Sequence, residues 1–133
     1  MSGAQVVLIV DDDPAVLETM RILLEGKGDF EVFCALGSHG ARHLMDRIER
    51  LDVLIADVIL AGEATGIDMC HEAVSRHPHV ALVVISADPR ADAAMIPEDS
   101  VYLRKPFGGY ELMTAIDEAG HRAQTRRTDV TTR

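Results

Sequence analysis

No apolar run in this chain of 133 residues comes near the thickness of a bilayer. The longest one near the N-terminus covers residues 6–10, far short of the roughly 20 residues that a spanning helix requires. No basic stretch precedes it, which argues against a secretory leader and points to a cytoplasmic protein. Cysteine is scarce. Cys34 and Cys70 stand alone, without metal-ligand spacing or the density of a disulfide framework, and read as small core hydrophobes. Positive charge is also in short supply, with 13 Lys and Arg against 22 Asp and Glu and a formal net charge of −9. Arg122, Arg126, Arg127 and Arg133 crowd the C-terminal end beside Asp129 alone, so the body ahead of them is more acidic still. Such a body repels phosphate backbones, and direct nucleic-acid binding is not expected. Repeats, linkers and low-complexity segments are absent as well.

What is present is a 47% apolar composition, enough for one compact domain, arranged in alternating strand and helix periods. Residues 5–10 form a β-branched run suited to a strand buried on both faces. Asp13 followed by Pro14 reads as an N-cap with proline at the first helical position. Val16, Leu17, Met20, Leu23 and Leu24 then share one helical face, which Gly26 and Gly28 close. Further strands are expected over 30–35, 53–56, 81–85 and 101–103. Between them lie helices burying Ala41, Leu44, Met45 and Ile48, then Ile67, Cys70, Ala73 and Val74. Pro89 and Pro97 leave room for only a short fourth helix around 91–96. A last helix starts near Gly109 and buries Leu112, Met113, Ile116 and Ala119. Five uninterrupted βα units imply a doubly wound parallel sheet with helices on both faces. The domain is placed at 4–122, with 123–133 as a basic, flexible tail that favours a natural C-terminus.

In open sheets of this class, ligands bind beyond the carboxyl ends of the strands. Those ends hold Asp11 and Asp12, Asp57, Ser86 and Lys105, while the second strand ends in Ala35-Leu36-Gly37 and adds nothing reactive. Carboxylates roughly 4–5 Å apart repel by about 3–4 kcal/mol at an effective dielectric near 20, so three in one pocket need cations between them. Lys105 is one. A hard divalent ion such as Mg²⁺ suits the remaining oxygen donors, and the set together can neutralise a transferring phosphoryl group.

Four stretches carry a resemblance. They are Val7-Leu8-Ile9-Val10-Asp11-Asp12-Asp13-Pro14, Val53-Leu54-Ile55-Ala56-Asp57, Val84-Ile85-Ser86-Ala87 and Tyr102-Leu103-Arg104-Lys105-Pro106-Phe107. In this order the chain resembles a response-regulator receiver domain of bacterial two-component signalling. The resemblance implies a flavodoxin-like sheet of order 2-1-3-4-5. It implies that Asp57 is the phosphoacceptor, and that Asp11, Asp12, Asp57 and the Ile59 backbone carbonyl hold Mg²⁺. Ser86 and Lys105 then meet the phosphoryl oxygens, Ser86 and Tyr102 act as the switch pair, and the bond before Pro106 is cis. Ile59 and Asp88 occupy positions that tune hydrolysis of the aspartyl phosphate, and with Ile59 unable to orient a water, a fairly long-lived phosphoform is expected.

The same resemblance implies a histidine kinase or histidine phosphotransfer protein as donor, a downstream protein target, and a monomer or weak dimer. The signalling face would be the surface of the fourth helix, fifth strand and last helix. Ala61 stands where receivers usually carry proline, and the short span from Ser86 to Lys105 makes that face unusual. A stand-alone receiver is the primary reading, with a receiver cut from a hybrid kinase as its variant. A different class also fits Asp11-Asp12-Asp13: a haloacid-dehalogenase-like phosphatase with Asp11 as nucleophile and Asp13 as acid. Its weakness is that Pro14-Ala15 does not continue that motif and no late acidic pair follows. His39 and His43 lie four apart on a predicted helix, but lack a third ligand and read as a solvated face.

Overall fold

A computed structural model describes residues 3–60, 64–87 and 96–131, with 127–131 given by their backbone alone. Five strands, β1 (Gln5–Val10), β2 (Phe30–Ala35), β3 (Val53–Asp57), β4 (Ala81–Ser86) and β5 (Ser100–Arg104), form one sheet. All its pairings are parallel and its order is β2-β1-β3-β4-β5. The flavodoxin-like order expected from the sequence is therefore the observed one.

Strand alternation divides the core in two. Leu8, Val10, Leu54, Ala56, Leu82 and Val84 face one side, against α2 (Ser38–Arg47) and α3 (Gly66–Arg76). Val7, Ile9, Val53, Ile55, Val83 and Ile85 face the other, against α1 (Pro14–Glu25) and α4 (Gly109–Thr131). Buried on both faces, β1, β3 and β4 need continuous apolar runs rather than alternation.

Local chemistry sets the helix starts. The Asp13 carboxylate accepts the Ala15 N–H at 2.9 Å and Pro14 occupies the first turn of α1. Thr65 and Asp68 cap α3 reciprocally, in the capping-box manner. Two bridges, Arg42 to Glu72 and Arg76 to Asp46, clasp α2 to α3 across their solvent side. Of the cysteines, Cys70 is buried as expected, but Cys34 on the outermost strand β2 is only half-buried. No helix among the described residues is long and apolar enough to cross a membrane.

One boundary differs from the sequence reading. The last helix does not stop near residue 122 but runs to Thr131, through the stretch assigned to a flexible tail. Ala123 continues its buried face one turn beyond Ala119. Arg126 pairs with Asp99 at 2.5 Å and donates to the Val80 carbonyl, while Arg122 donates to the Ser100 carbonyl at 2.6 Å. These long-range bonds hold the basic end of the helix to the domain. The short helix expected around 91–96 falls mostly outside the described residues, as do Ala61 and Asp88. Only Ile96 is described, in a bend packed against the core.

Candidate functional site

Four strands deliver polar side chains to one end of the sheet. Asp11 directly follows β1, Asp57 and Ser86 are the last residues of β3 and β4, and Lys105 directly follows β5. Asp11, Asp57 and Ser86 are buried there, at 0%, 7% and 1% exposure. The parallel register places Asp57 beside Ile85, and Ser86 beside Arg104. The Lys105 N–H donates to the Ser86 carbonyl at 2.9 Å, which carries the ladder one residue past β5. The Lys105–Pro106 peptide bond is cis.

The Lys105 ammonium joins the two buried acids. Its Nζ donates to Asp11 Oδ2 at 2.8 Å and to Asp57 Oδ2 at 2.7 Å. The remaining carboxylate oxygens take backbone donors: Asp11 Oδ1 accepts the Asp13 N–H at 2.9 Å, and Asp57 Oδ1 accepts the Ile59 N–H at 3.0 Å. Each oxygen of the pair thus has a partner, as buried carboxylates require. Burial nevertheless pushes the Asp57 carboxyl above its ordinary range, because Lys105 and the Ile59 N–H only partly offset the lost hydration. Burial alone would lower the Lys105 pKa, but bonds and charge from Asp11 and Asp57 outweigh it and hold the ammonium above the usual lysine value.

Other predicted residues take less central places. Asp12 is exposed beside the pair, and Asp13 is spent on the α1 cap, which removes the acid that a phosphatase reading needs. Ile59 is 55% exposed on the loop that follows Asp57. Tyr102 lies beside Val84 and packs, half-buried, on the α2/α3 side of the sheet. His39 and His43 are exposed on α2, away from any third ligand among the described residues.

Gly66, which no motif in the sequence singles out, also shapes the site. A Cβ built on Gly66 would stand 2.0 Å from the Asp57 carbonyl oxygen and 2.6 Å from its carbon. The Gly66 N–H also donates to the Val58 carbonyl at 3.0 Å. The first turn of α3 therefore rests directly on the backbone that carries Asp57. The available sequence signal was a glycine at the opening of a helix that already has a Thr cap.

Two buried carboxylates and an exposed third, against one ammonium, leave the site short of positive charge. Among the described residues no three His, Cys, Asp or Glu side chains already stand as a metal cage. An all-oxygen donor set with the exposed Asp12 at its edge fits instead a hard divalent ion such as Mg²⁺, which retains several of its waters and needs only one or two carboxylates.

Comparison with known proteins agrees with this arrangement. The response regulator receiver domain profile matches residues 7–117. The probable transcriptional regulatory protein TcrX of Mycobacterium tuberculosis is 30% identical over 129 residues, covering 95% of this chain and 52% of its own length. The chain therefore spans about half of that relative. A response regulator receiver domain protein from Clostridium thermocellum superposes with a TM-score of 0.76 at 29% identity, covering 91% of this chain and 98% of that one. The fold is also shared, at a TM-score of 0.74 and 19% identity, by a response regulator protein from Burkholderia pseudomallei solved with a phosphorylated aspartic acid, calcium ion and citrate; the match covers 92% of this chain and 72% of that one. On its strand order, its strand-end residues and the profile match, this chain belongs to the response regulator receiver domain family.

Proposed function

We propose that the chain is a phosphorylation-operated switch that takes a phosphoryl group on Asp57 from a histidine kinase or a histidine phosphotransfer protein. The observation that carries this reading is the single Lys105 ammonium shared between buried Asp11 and Asp57. In the transfer, a carboxylate oxygen of Asp57 forms a bond to phosphorus as the phosphorus–nitrogen bond of a phosphohistidine breaks. The electron pair of the broken bond stays on the departing imidazole. Lys105 stands where it can follow the charge onto the phosphoryl oxygens, and the Ser86 hydroxyl is the group that meets them from β4.

The family generally binds Mg²⁺, which when bound neutralises charge on the transferring group. Asp11, Asp12, Asp57 and the Ile59 carbonyl are the residues that would hold it here. A bound phosphoryl group draws Ser86 inward and the Tyr102 ring after it, remodelling the surface around β5 and α4 that a downstream protein reads. This is a population shift biased by new contacts at one end of the sheet. The Burkholderia protein, with its phosphorylated aspartic acid and calcium ion, supports the reading by likeness of fold.

Intact-mass measurement after incubation with acetyl phosphate tests the proposal. With Mg²⁺ present we expect one phosphoryl addition, mapped to Asp57 and lost both in Asp57→Asn and with a chelator. Label on Asp11 with rapid turnover of the donor would overturn it in favour of a phosphatase.

A further inference from the structure

Arg104 is the last residue of β5 and directly precedes Lys105. It pairs in register with Ser86, the last residue of β4. Two residues earlier on the same strands, Val84 and Tyr102 pair and both pack on the α2/α3 side of the sheet. Strand alternation returns Ser86 and Arg104 to that side, on backbones about 4.8 Å apart. Ser86 is buried there, whereas Arg104 is exposed. A cation therefore stands at the strand end beside the hydroxyl that would meet the phosphoryl group.

Arginines elsewhere in the chain are engaged by acids. Arg21, Arg42, Arg50, Arg76, Arg122 and Arg126 each bridge to an aspartate or a glutamate. Arg104 bridges to none among the described residues. Arg47 shares that condition, but it lies beside Val6 near the start of β1, at the opposite end of the sheet from Asp11. Around the site itself, buried Asp11 and Asp57 share the single Lys105 ammonium, and Asp12 adds a third negative charge. A phosphodonor is also an anion, so it approaches against the field of these carboxylates and of a chain of net charge −9.

We propose that Arg104 draws small anionic phosphodonors, acyl phosphates in particular, to the ends of β4 and β5, and so sets the rate at which they load Asp57. The inference rests on the reading of Asp57 as phosphoacceptor and gives a role to a cation which that reading does not use. The guanidinium acts through its field: it raises the frequency of productive encounter and takes no part in bond making. In the transfer from acetyl phosphate, an Asp57 oxygen bonds to phosphorus as the bond from phosphorus to the acetate oxygen breaks. Acetate leaves with the electron pair.

The rate of mass addition to the full chain from acetyl phosphate with Mg²⁺, followed against salt concentration, tests the proposal. Arg104→Gln is expected to slow phosphorylation about threefold at low salt and Arg104→Glu about tenfold, while Arg104→Lys keeps the parent rate. These differences are expected to vanish near 1 M salt, where the screening length falls to about 3 Å from about 30 Å at 0.01 M. The loss is expected to be smaller with phosphoramidate, which carries less negative charge at neutral pH. Thermal melts of all three variants are expected to match the parent, since the side chain is exposed and unpaired. A parent chain that takes no label on Asp57 would overturn the phosphoacceptor reading itself. A labelled parent overturns the role of Arg104 alone if Arg104→Glu keeps the parent rate, slows equally at every salt concentration, or slows equally with both donors.

Discussion

Gly66 and Asp57 are packed backbone to backbone: a methyl group on Gly66 would lie 2.0 Å from the Asp57 carbonyl oxygen. Backbone on both sides leaves no flexible side chain to yield, so Gly66→Ala must displace the end of β3 or the start of α3. We expect it to lower stability by about 2 kcal/mol, as overpacking does, and to slow phosphorylation of Asp57 about tenfold or more as the carboxylate shifts. Gly120→Ala is the matched control. It meets open space, and replacing a helix-interior glycine should raise stability by about 0.5–1 kcal/mol without changing phosphorylation. Urea midpoints and the rate of mass addition from acetyl phosphate report both effects.

The bridge through Lys105 gives stability a definite pH signature. Lys105 is held above its ordinary value in the folded chain, so its contribution is complete below the unfolded lysine pKa and is lost as pH rises through the folded one. Asp57 has the opposite sense among acids. Its folded pKa is raised, so its ionised form costs stability at neutral pH, and the cost disappears as pH falls below the ordinary carboxylate range. Asp57→Asn should therefore melt at or above the parent at pH 7, with the gap closing in acid. Lys105→Met should destabilise by about 2–3 kcal/mol, because it leaves two buried carboxylates without their shared cation. Thermal melts across pH check the signs. A neutral-pH loss in Asp57→Asn as large as that of Lys105→Met would contradict them.

The two thiols should differ in reactivity. Burial pushes Cys70 up to about 12, so essentially no thiolate is present at pH 8. Cys34 is also raised by burial, though Arg21 beside it pulls the other way and its side chain is only half-buried. Iodoacetamide should spare Cys70 in the native chain, modify Cys34 slowly, and modify both in urea. Peptide mapping of the alkylated chain measures this directly, and rapid native labelling of Cys70 would contradict its place in the α3 core.

The lifetime of the aspartyl phosphate should reflect Ile59. Its exposed side chain has no atom that can orient an attacking water. We expect the phosphoform to outlast seconds, and Ile59→Gln, which adds donor and acceptor groups at the same place, to shorten its life by roughly tenfold. Decay of the phosphorylated mass after removal of the donor gives both lifetimes.

Most of the architecture could be read from residue order because the strands are buried on both faces. The β-branched runs ending at Val10, Asp57 and Ser86 left little freedom in where the sheet's edge would fall. Asp11, Asp57 and Lys105 could be placed together on topology alone, since parallel strands put all their carboxyl ends on one side. Features that depend on distant contacts were not legible. The helical state of residues 123–131 follows partly from Arg126 reaching Asp99, an ion pair that local periodicity does not reveal. The role of Gly66 likewise depends on an approach between backbone segments that only the folded chain brings together. Cys34 lies shallower than a core cysteine because β2 is an edge strand, a position that the apolar run itself does not announce.

The arginines of α4 also make the domain mechanically continuous. Arg122 grips the carbonyl at the first residue of β5, and Arg126 grips the one just before β4, both at the rim farthest from Asp57. With both carbonyls held, the C-terminal turns of α4 and the strand starts of β4 and β5 share one frame, so this rim of the domain is closed by side chains as the opposite rim is closed by Lys105.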